Sequence, residues 1–184
     1  GPAKDDEKAR SRVLSIMESE AERMSSLVND LLSLSKVEEK ERIRPLETVD
    51  LIGVITSTIR ALGPVAEAAH VVLEADFKTP QVTLQADERQ LQQVLSNLIS
   101  NALKYGASGG RVDVIVTAEA YVPQIRGRGV RIDVRDYGEG IEEHHIPRLT
   151  ERFYRVDTHR SREVGGTGLG LAIVKHIVNR HRGR

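Results

Sequence analysis

Leu14, Met17, Ala21, Met24, Val28 and Leu31 recur in steps of three and four, the spacing of a heptad-like seam along one side of a helix. Val13, Ile16, Leu27, Leu32 and Leu34 widen the stripe, while Glu18, Glu20, Glu22, Arg23 and Asp30 fall mostly off it. The pattern predicts a helix from about Asp5 to Lys40. A helix with so broad an apolar side is not stable alone in water. It demands partner helices, and a dimeric bundle fits the width and regularity of the seam better than packing on its own domain.

Lys36 to Arg44 is a dense charge run, KVEEKERIR, followed by Pro45, and it reads as a linker. Glu47 to Leu51 reads as a short strand leading into a helix with Asp50 as its cap. That helix runs from Leu51 to about Ala69, with Gly63-Pro64 as a kink or an early end. His70–Phe77 and Gln81–Ala86 read as strands. Asp87 caps a strong helix through about Tyr105. Arg111–Thr117 and Val130–Asp136 read as strands joined by the loop YVPQIRGRG. Gly138 to Thr167 is polar and Gly-containing, with one helical pattern near Glu142–Arg152; so long a weakly structured stretch suits a lid. A last helix spans Gly168 to about His181. The order implies an α+β fold with helices layered on one sheet.

Aromatic residues make up 3% of the chain and Trp is absent, so the core is aliphatic. Basic and acidic residues balance at 27 each, which gives no electrostatic pull toward nucleic acid. There is no cysteine, so disulfides and thiolate metal sites are excluded. No apolar run reads as long enough to span a bilayer and no signal peptide is visible. The first residues are Gly1-Pro2 rather than Met, and the chain reads as part of a longer protein.

Four groups of residues carry chemistry. In LQQVLSNLISNALKY, Asn97 and Asn101 sit four apart on one helical face, with Lys104 near Asn101. Two amide oxygens suit Mg²⁺ shared with phosphate oxygens, and Lys104 suits a phosphate; alone, the pair reads first as a polar helix face. In RDYGEGI, Asp136 stands where a strand ends, and Gly138 and Gly140 allow close approach of a flat ligand. A carboxylate there accepts from an exocyclic amine such as that of adenine, although D-Y-G-E-G is also an ordinary turn. Gly165-Gly166-Thr167-Gly168-Leu169-Gly170 opens a helix, where free N–H groups and the dipole favour phosphate. The stretch matches neither the dinucleotide nor the P-loop pattern, because Leu171 follows Gly170. In TERFYRVD, Phe153 and Tyr154 form half of a hydrophobic anchor, and Arg152 and Arg155 are cations within reach of a phosphate. His144-His145 lacks metal-ligand spacing and reads as a pair of exposed loop histidines.

Together, the paired Asn, D-x-G-x-G, F-Y-R and G-x-G-x-G, in this order, resemble the N, G1, F and G2 boxes of bacterial sensor histidine kinases. RLTERFYRVD and SREVGGTGLGLAIVKHIV are similar to the phosphate-sensing subgroup. The resemblance implies a GHKL-type (Bergerat) ATP-binding sandwich, a mixed sheet with helices on one face, preceded by a long bundle-forming helix. It implies the second helix of a dimerisation and phosphotransfer domain over 1–40, a linker and first strand over 41–50, and an ATP-binding catalytic domain over 51–184. The implied cofactors are ATP and Mg²⁺. Asn97 and Asn101 would hold the metal, and Lys104 and Tyr105 would meet phosphate or ribose. Asp136 would take the adenine amine beside Gly138, Gly140 and Ile141. Gly166, Thr167, Gly168, Leu169 and Gly170 would line the phosphates, and Arg155 would reach the γ-phosphate. Implied partners are a second copy through the first helix and a response regulator receiver domain, with no nucleic acid. The implied location is cytoplasmic for this portion, with a parent protein anchored in the inner membrane.

Three departures qualify the implied picture. No histidine of the chain sits in a phosphoacceptor context, the family's two strands after the last helix are not present, and Thr150 stands where many relatives carry a second Phe. Two other readings use the same residues: an ATPase of the gyrase and chaperone type, and a nucleotide-binding dimerisation module without kinase activity. The amide at Asn97 cannot act as the general base of such an ATPase.

Overall fold

The computed structural model describes residues 7–123, 125–156 and 166–184, without the side chain of Lys8. Helix α1, Glu7–Lys40, is 34 residues long. It continues through much of the charge run, so Lys36–Lys40 is not linker. The reason is apolar: Leu34 and Val37, three apart, are both 3% exposed. They pack with Val94, Leu169, Ile173 and Ile177 in a small core of their own. Farther up the same helix Leu14, Met17, Met24 and Val28 stay 52–67% exposed.

Strand β1, Thr48–Asp50, leads directly into α2, Leu51–Ala68, and Asp50 accepts the Ile52 N–H as the helix cap. Gly63-Pro64 neither ends nor splits α2. The hydrogen bond that proline forfeits is offset by the burial of Ala66 and the partial burial of Ile59 and Leu62 on either side. By length and composition α2 also meets the requirement for crossing a membrane, contrary to the sequence reading. Here Leu51, Val54, Ile55 and Thr58 are buried within the protein, and Arg60 and Glu67 interrupt its surface.

Strands β2, Val72–Phe77, β4, Arg111–Val122, and β5, Gly127–Asp136, form a mixed sheet in the order β2-β4-β5. β2 runs parallel to β4, and β4 is antiparallel to β5. β3, Thr83–Gln85, pairs instead with β1 in a separate antiparallel ladder. Val112, Val114 and Val116 are fully buried. They meet α2 and helix α3, Glu88–Tyr105, on one side of the sheet. The alternation of a strand puts Arg111 and Asp113 on the other side. A last helix, α4, spans Gly170–Arg180.

The element types match the sequence reading, and several boundaries move. His70 takes a positive φ and closes α2 rather than opening β2. β4 and β5 extend into the expected loop. The helical pattern near Glu142–Arg152 resolves as a 3₁₀ helix, Glu143–Arg148.

Arg180, only 8% exposed, ties α4 to the rest of the molecule. Its Nε donates to the Ile43 carbonyl and its guanidinium pairs with Asp87. His181 Nε2 accepts the Asp87 N–H at 3.0 Å, and Nδ1 faces the Ile177 carbonyl at 2.7 Å. That arrangement requires neutral imidazole with its proton on Nδ1. Burial first, then the nearby Arg180 and Arg44 cations, hold its pKa below the usual 6.5, against the Ile177 bond and the Asp87 charge. A depressed folded-state pKa gives stability that is complete above the unfolded value and is lost as pH falls through the folded value. Thermal midpoints measured from about pH 7.5 down to about pH 5.5 should therefore fall more steeply for the native chain than for His181→Gln, which keeps an acceptor but does not titrate.

Candidate functional site

Helix α3 begins at a firm cap, Asp87 accepting the Gln90 N–H, and is held by Leu95, Ile99 and Leu103, each at most 2% exposed. Those contacts turn Asn97 and Asn101 to another side. Asn97 is half-buried and its Nδ2 donates to the Gly170 carbonyl at 3.2 Å. Its Oδ1 has no hydrogen-bond partner among the described residues. Asn101, one turn on and also half-buried, has no side-chain hydrogen-bond partner among the described residues. Lys104 is exposed. Tyr105 is 41% exposed, with its hydroxyl 3.2 Å from where a Cβ on Gly166 would lie. The donor set offers two neutral oxygens and no carboxylate, which fits a Mg²⁺ that keeps waters and takes phosphate oxygens. Among the described residues no three His, Cys, Asp or Glu side chains gather to hold a metal by themselves.

The N-terminus of α4 faces Asn97. Helices α2 and α3 are capped by aspartates, but α4 has no side-chain cap and no acidic residue in its first turn. Among the described residues no side chain caps its first N–H groups, and the positive end of its dipole favours an anion there. Gly168 has φ +71°, and a Cβ there would lie 2.8 Å from Phe153 Cα. No side chain fits, and the Phe153 N–H donates to the Gly168 carbonyl at 2.9 Å. Thr167 Oγ1 accepts the Leu169 N–H and donates to Asp30 of α1 at 2.6 Å. Leu169 is fully buried. Gly165 and the rest of the expected lid over 157–164 lie outside the described residues.

At the C-terminal end of α3 the RDYGEGI segment comes into backbone contact with the turn after the helix. A Cβ on Gly106 would lie 2.4 Å from Asp136 Cβ, and one on Gly138 would lie 2.7 Å from Gly106 Cα. Asp136 is exposed and accepts the Gly138 N–H at 3.0 Å. Gly140 and Ile141 follow on an exposed stretch. The structure thus lines three of the four motifs along one helix: Gly170 at Asn97, Gly166 at Tyr105, Asp136 at Gly106.

The fourth motif sits differently from expectation. Phe153 is 55% exposed and anchors nothing by burial. Tyr154 is the tethered member: its hydroxyl lies 2.6 Å from His145 Nδ1, and Arg148 stacks 4.1 Å from its ring centroid. His145 is half-buried against Tyr154 rather than exposed as the sequence reading had it, beside an exposed His144. Arg152 is ion-paired to Glu38 of α1. Arg155 is half-buried next to Tyr154. His176 of α4 lies between Glu38 and Glu41, and hydrogen bonding to His176 holds the Glu41 carboxyl below its usual range. None of these links to α1 has a local sequence signal, because the partners lie more than a hundred residues apart.

The histidine kinase-, DNA gyrase B- and HSP90-like ATPase family matches residues 86–184. The chain is 39% identical over 176 residues to the phosphate regulon sensor protein PhoR of Pseudomonas aeruginosa, covering 94% of this chain and 37% of that protein. It is 37% identical over 172 residues to the sensor histidine kinase WalK of Bacillus subtilis, covering 94% and 27%. The chain therefore spans roughly a third of the length of these curated relatives. Full-length ShkA in complex with AMPPNP superimposes with a TM-score of 0.73 at 29% identity, over 95% of this chain and 34% of that one. The Acinetobacter baumannii histidine kinase AdeS gives 0.64 at 28% identity, over 95% and 74%. With its boxes, its mixed sheet and these likenesses, the chain belongs to the histidine kinase-, DNA gyrase B- and HSP90-like ATPase family and carries the ATP-binding catalytic domain of a sensor histidine kinase.

Proposed function

We propose that this chain binds Mg-ATP along α3 and presents its γ-phosphoryl group to a histidine supplied from outside the chain. The observation that carries this reading is the alignment along one helix of an amide pair, an uncapped glycine-rich helix start and a strand-end carboxylate. Asp136 takes the adenine amine, with Gly138, Gly140 and Ile141 beside the ring. Tyr105 and Lys104 meet ribose or phosphate. Gly166, Thr167, Gly168, Leu169 and Gly170 line the phosphates with backbone N–H groups, and Arg155 reaches the γ-phosphate. Asn97 and Asn101 hold Mg²⁺, which neutralises charge on the phosphate oxygens when bound. Transfer breaks the bond between the γ-phosphorus and the ADP oxygen and forms one to the imidazole nitrogen, so the protein's work is positioning and charge neutralisation. An amide at Asn97 cannot activate water, which favours transfer over hydrolysis to free phosphate. Boundaries at 1–40, 41–50 and 51–184 follow from the same reading. So do a cytoplasmic location, a membrane-anchored parent and a response regulator as the next phosphoryl acceptor.

Calorimetric titration tests the metal role. Asn101→Ala should weaken Mg-ATP binding about tenfold, or about 1.4 kcal/mol, and leave magnesium-free ATP binding unchanged. Equal Mg-ATP affinity for both chains would remove Asn101 from the metal site. Gly168→Ala tests the phosphate edge. The added Cβ meets Phe153 backbone in a left-handed conformation costing about 1–2 kcal/mol, so ATP affinity should fall by about tenfold or more while the far-ultraviolet circular dichroism stays native.

The exposed seam of α1 supports a second-copy contact. Met24 and Val28 remain largely exposed on a side that a bundle partner would cover. Light scattering should give a dimer mass for the native chain and a monomer mass for the double variant Met24→Glu, Val28→Glu, with unchanged ATP affinity. Identical masses would remove the seam as the contact.

A further inference from the structure

Tyr137 lies between Asp136 and Gly138 but is not itself at the nucleotide face. In β5 the inward row is Val130, Ile132 and Val134, all packed against the core, and Asp136 continues that row opposite Val112. Period two therefore sends Tyr137 to the opposite side of the sheet. There its hydroxyl donates to Asp113 Oδ2 at 2.7 Å. Asp113 is 7% exposed and is a costly group to bury without partners. Arg111 Nε donates to its other oxygen at 2.7 Å and a guanidinium nitrogen of Arg111 lies 3.1 Å from Glu74 of β2. Arg135 covers the Tyr137 ring at 5.0 Å from its centroid. On the main-chain side, the Tyr137 carbonyl fills the space where Gly109 has no Cβ, 2.2 Å from that position. The residue is gripped by its hydroxyl, its ring and its backbone.

We propose that Tyr137, held by Asp113, is a positioning residue for the base end of the nucleotide, setting the register in which Asp136 reaches the adenine amine. A one-residue slip at this strand end would exchange the faces of Tyr137 and Asp136. The Tyr137–Asp113 bond opposes that slip, because it cannot be made unless Asp136 faces α3. Each partner also shifts the other in the sense a strong bond requires. Tyr137 is the largest influence lowering the Asp113 carboxyl below its usual range, and Asp113 is the largest raising the Tyr137 phenol.

This inference rests on the proposed ATP site, and the test separates the two. Calorimetry on the full chain compares ATP with purine riboside triphosphate, which lacks the 6-amino group that Asp136 would bind. The native chain should prefer ATP. In Tyr137→Phe and in Asp113→Ala, ATP affinity should fall by about tenfold and the preference for ATP should shrink toward unity. Asp113→Asn should keep most of the preference, because its amide bonds the phenol in either orientation. Thermal midpoints report folding. If Asp113→Ala fails to fold, Tyr137→Phe and Asp113→Asn decide. An unchanged preference in Tyr137→Phe, or equal losses for both nucleotides, overturns the positioning role and leaves the ATP site standing. Absence of ATP binding by the native chain overturns both.

Discussion

Helix α3 is wedged between two apolar clusters, and everything at the site takes its place from that wedge. Leu95, Ile99, Ala102 and Leu103 face the main core with α2 and the sheet, while Val94 and Leu98 face the smaller core with α1 and α4. Complete burial of a Leu or Ile side chain is worth about 1.5–3 kcal/mol, against about 1 kcal/mol for a cap such as Asp87. Packing therefore decides the rotation of α3 about its axis, and that rotation decides where Asn97, Asn101 and Tyr105 point.

Helix α4 inverts the usual balance between cap and core. At 11 residues it is too short to persist alone in water, and its first turn has no side-chain cap. Leu169, Ile173 and Ile177, all fully buried, hold it against α1 and α3. The N-terminus can thus be left polar and open because the opposite side of the helix is apolar and closed. A capping aspartate there would add local stability and place a negative charge where the phosphates are proposed to lie.

Local chemistry made much of this readable in advance. Asp50 and Asp87 announce helix starts, alternation in VDVIV announces a buried strand, and Asn97 with Asn101 share a face by spacing alone. What was not readable depends on long-range contact. Val37 looks like a stray apolar residue in a charge run until Ile173 and Ile177 are placed beside it. Phe153 looks like an anchor, yet Tyr154 holds the segment through His145 and Arg148. Arg152 looks like a phosphate ligand, yet it faces Glu38. Glu47 to Asp50 and Gln81 to Ala86 were both readable as strands, but their pairing with each other was not, since two short strands have no signal for whether they join the larger sheet. Tyr137 carries no local signal of its role, because its partner Asp113 lies 24 residues away on the neighbouring strand.

The 2.6 Å hydrogen bond between Thr167 and Asp30 joins the glycine turn to the same helix that carries the exposed seam. An α-helix advances about 1.5 Å per residue, and hydrogen bonds of this type extend to about 3.0 Å. A one-residue slide of α1 across this bond stretches it to about 3.0 Å, the end of that range, and a two-residue slide, to about 4 Å, breaks it. The turn that orders the start of α4 is in this sense a vernier on the axial position of α1, sensitive to a shift of one to two residues.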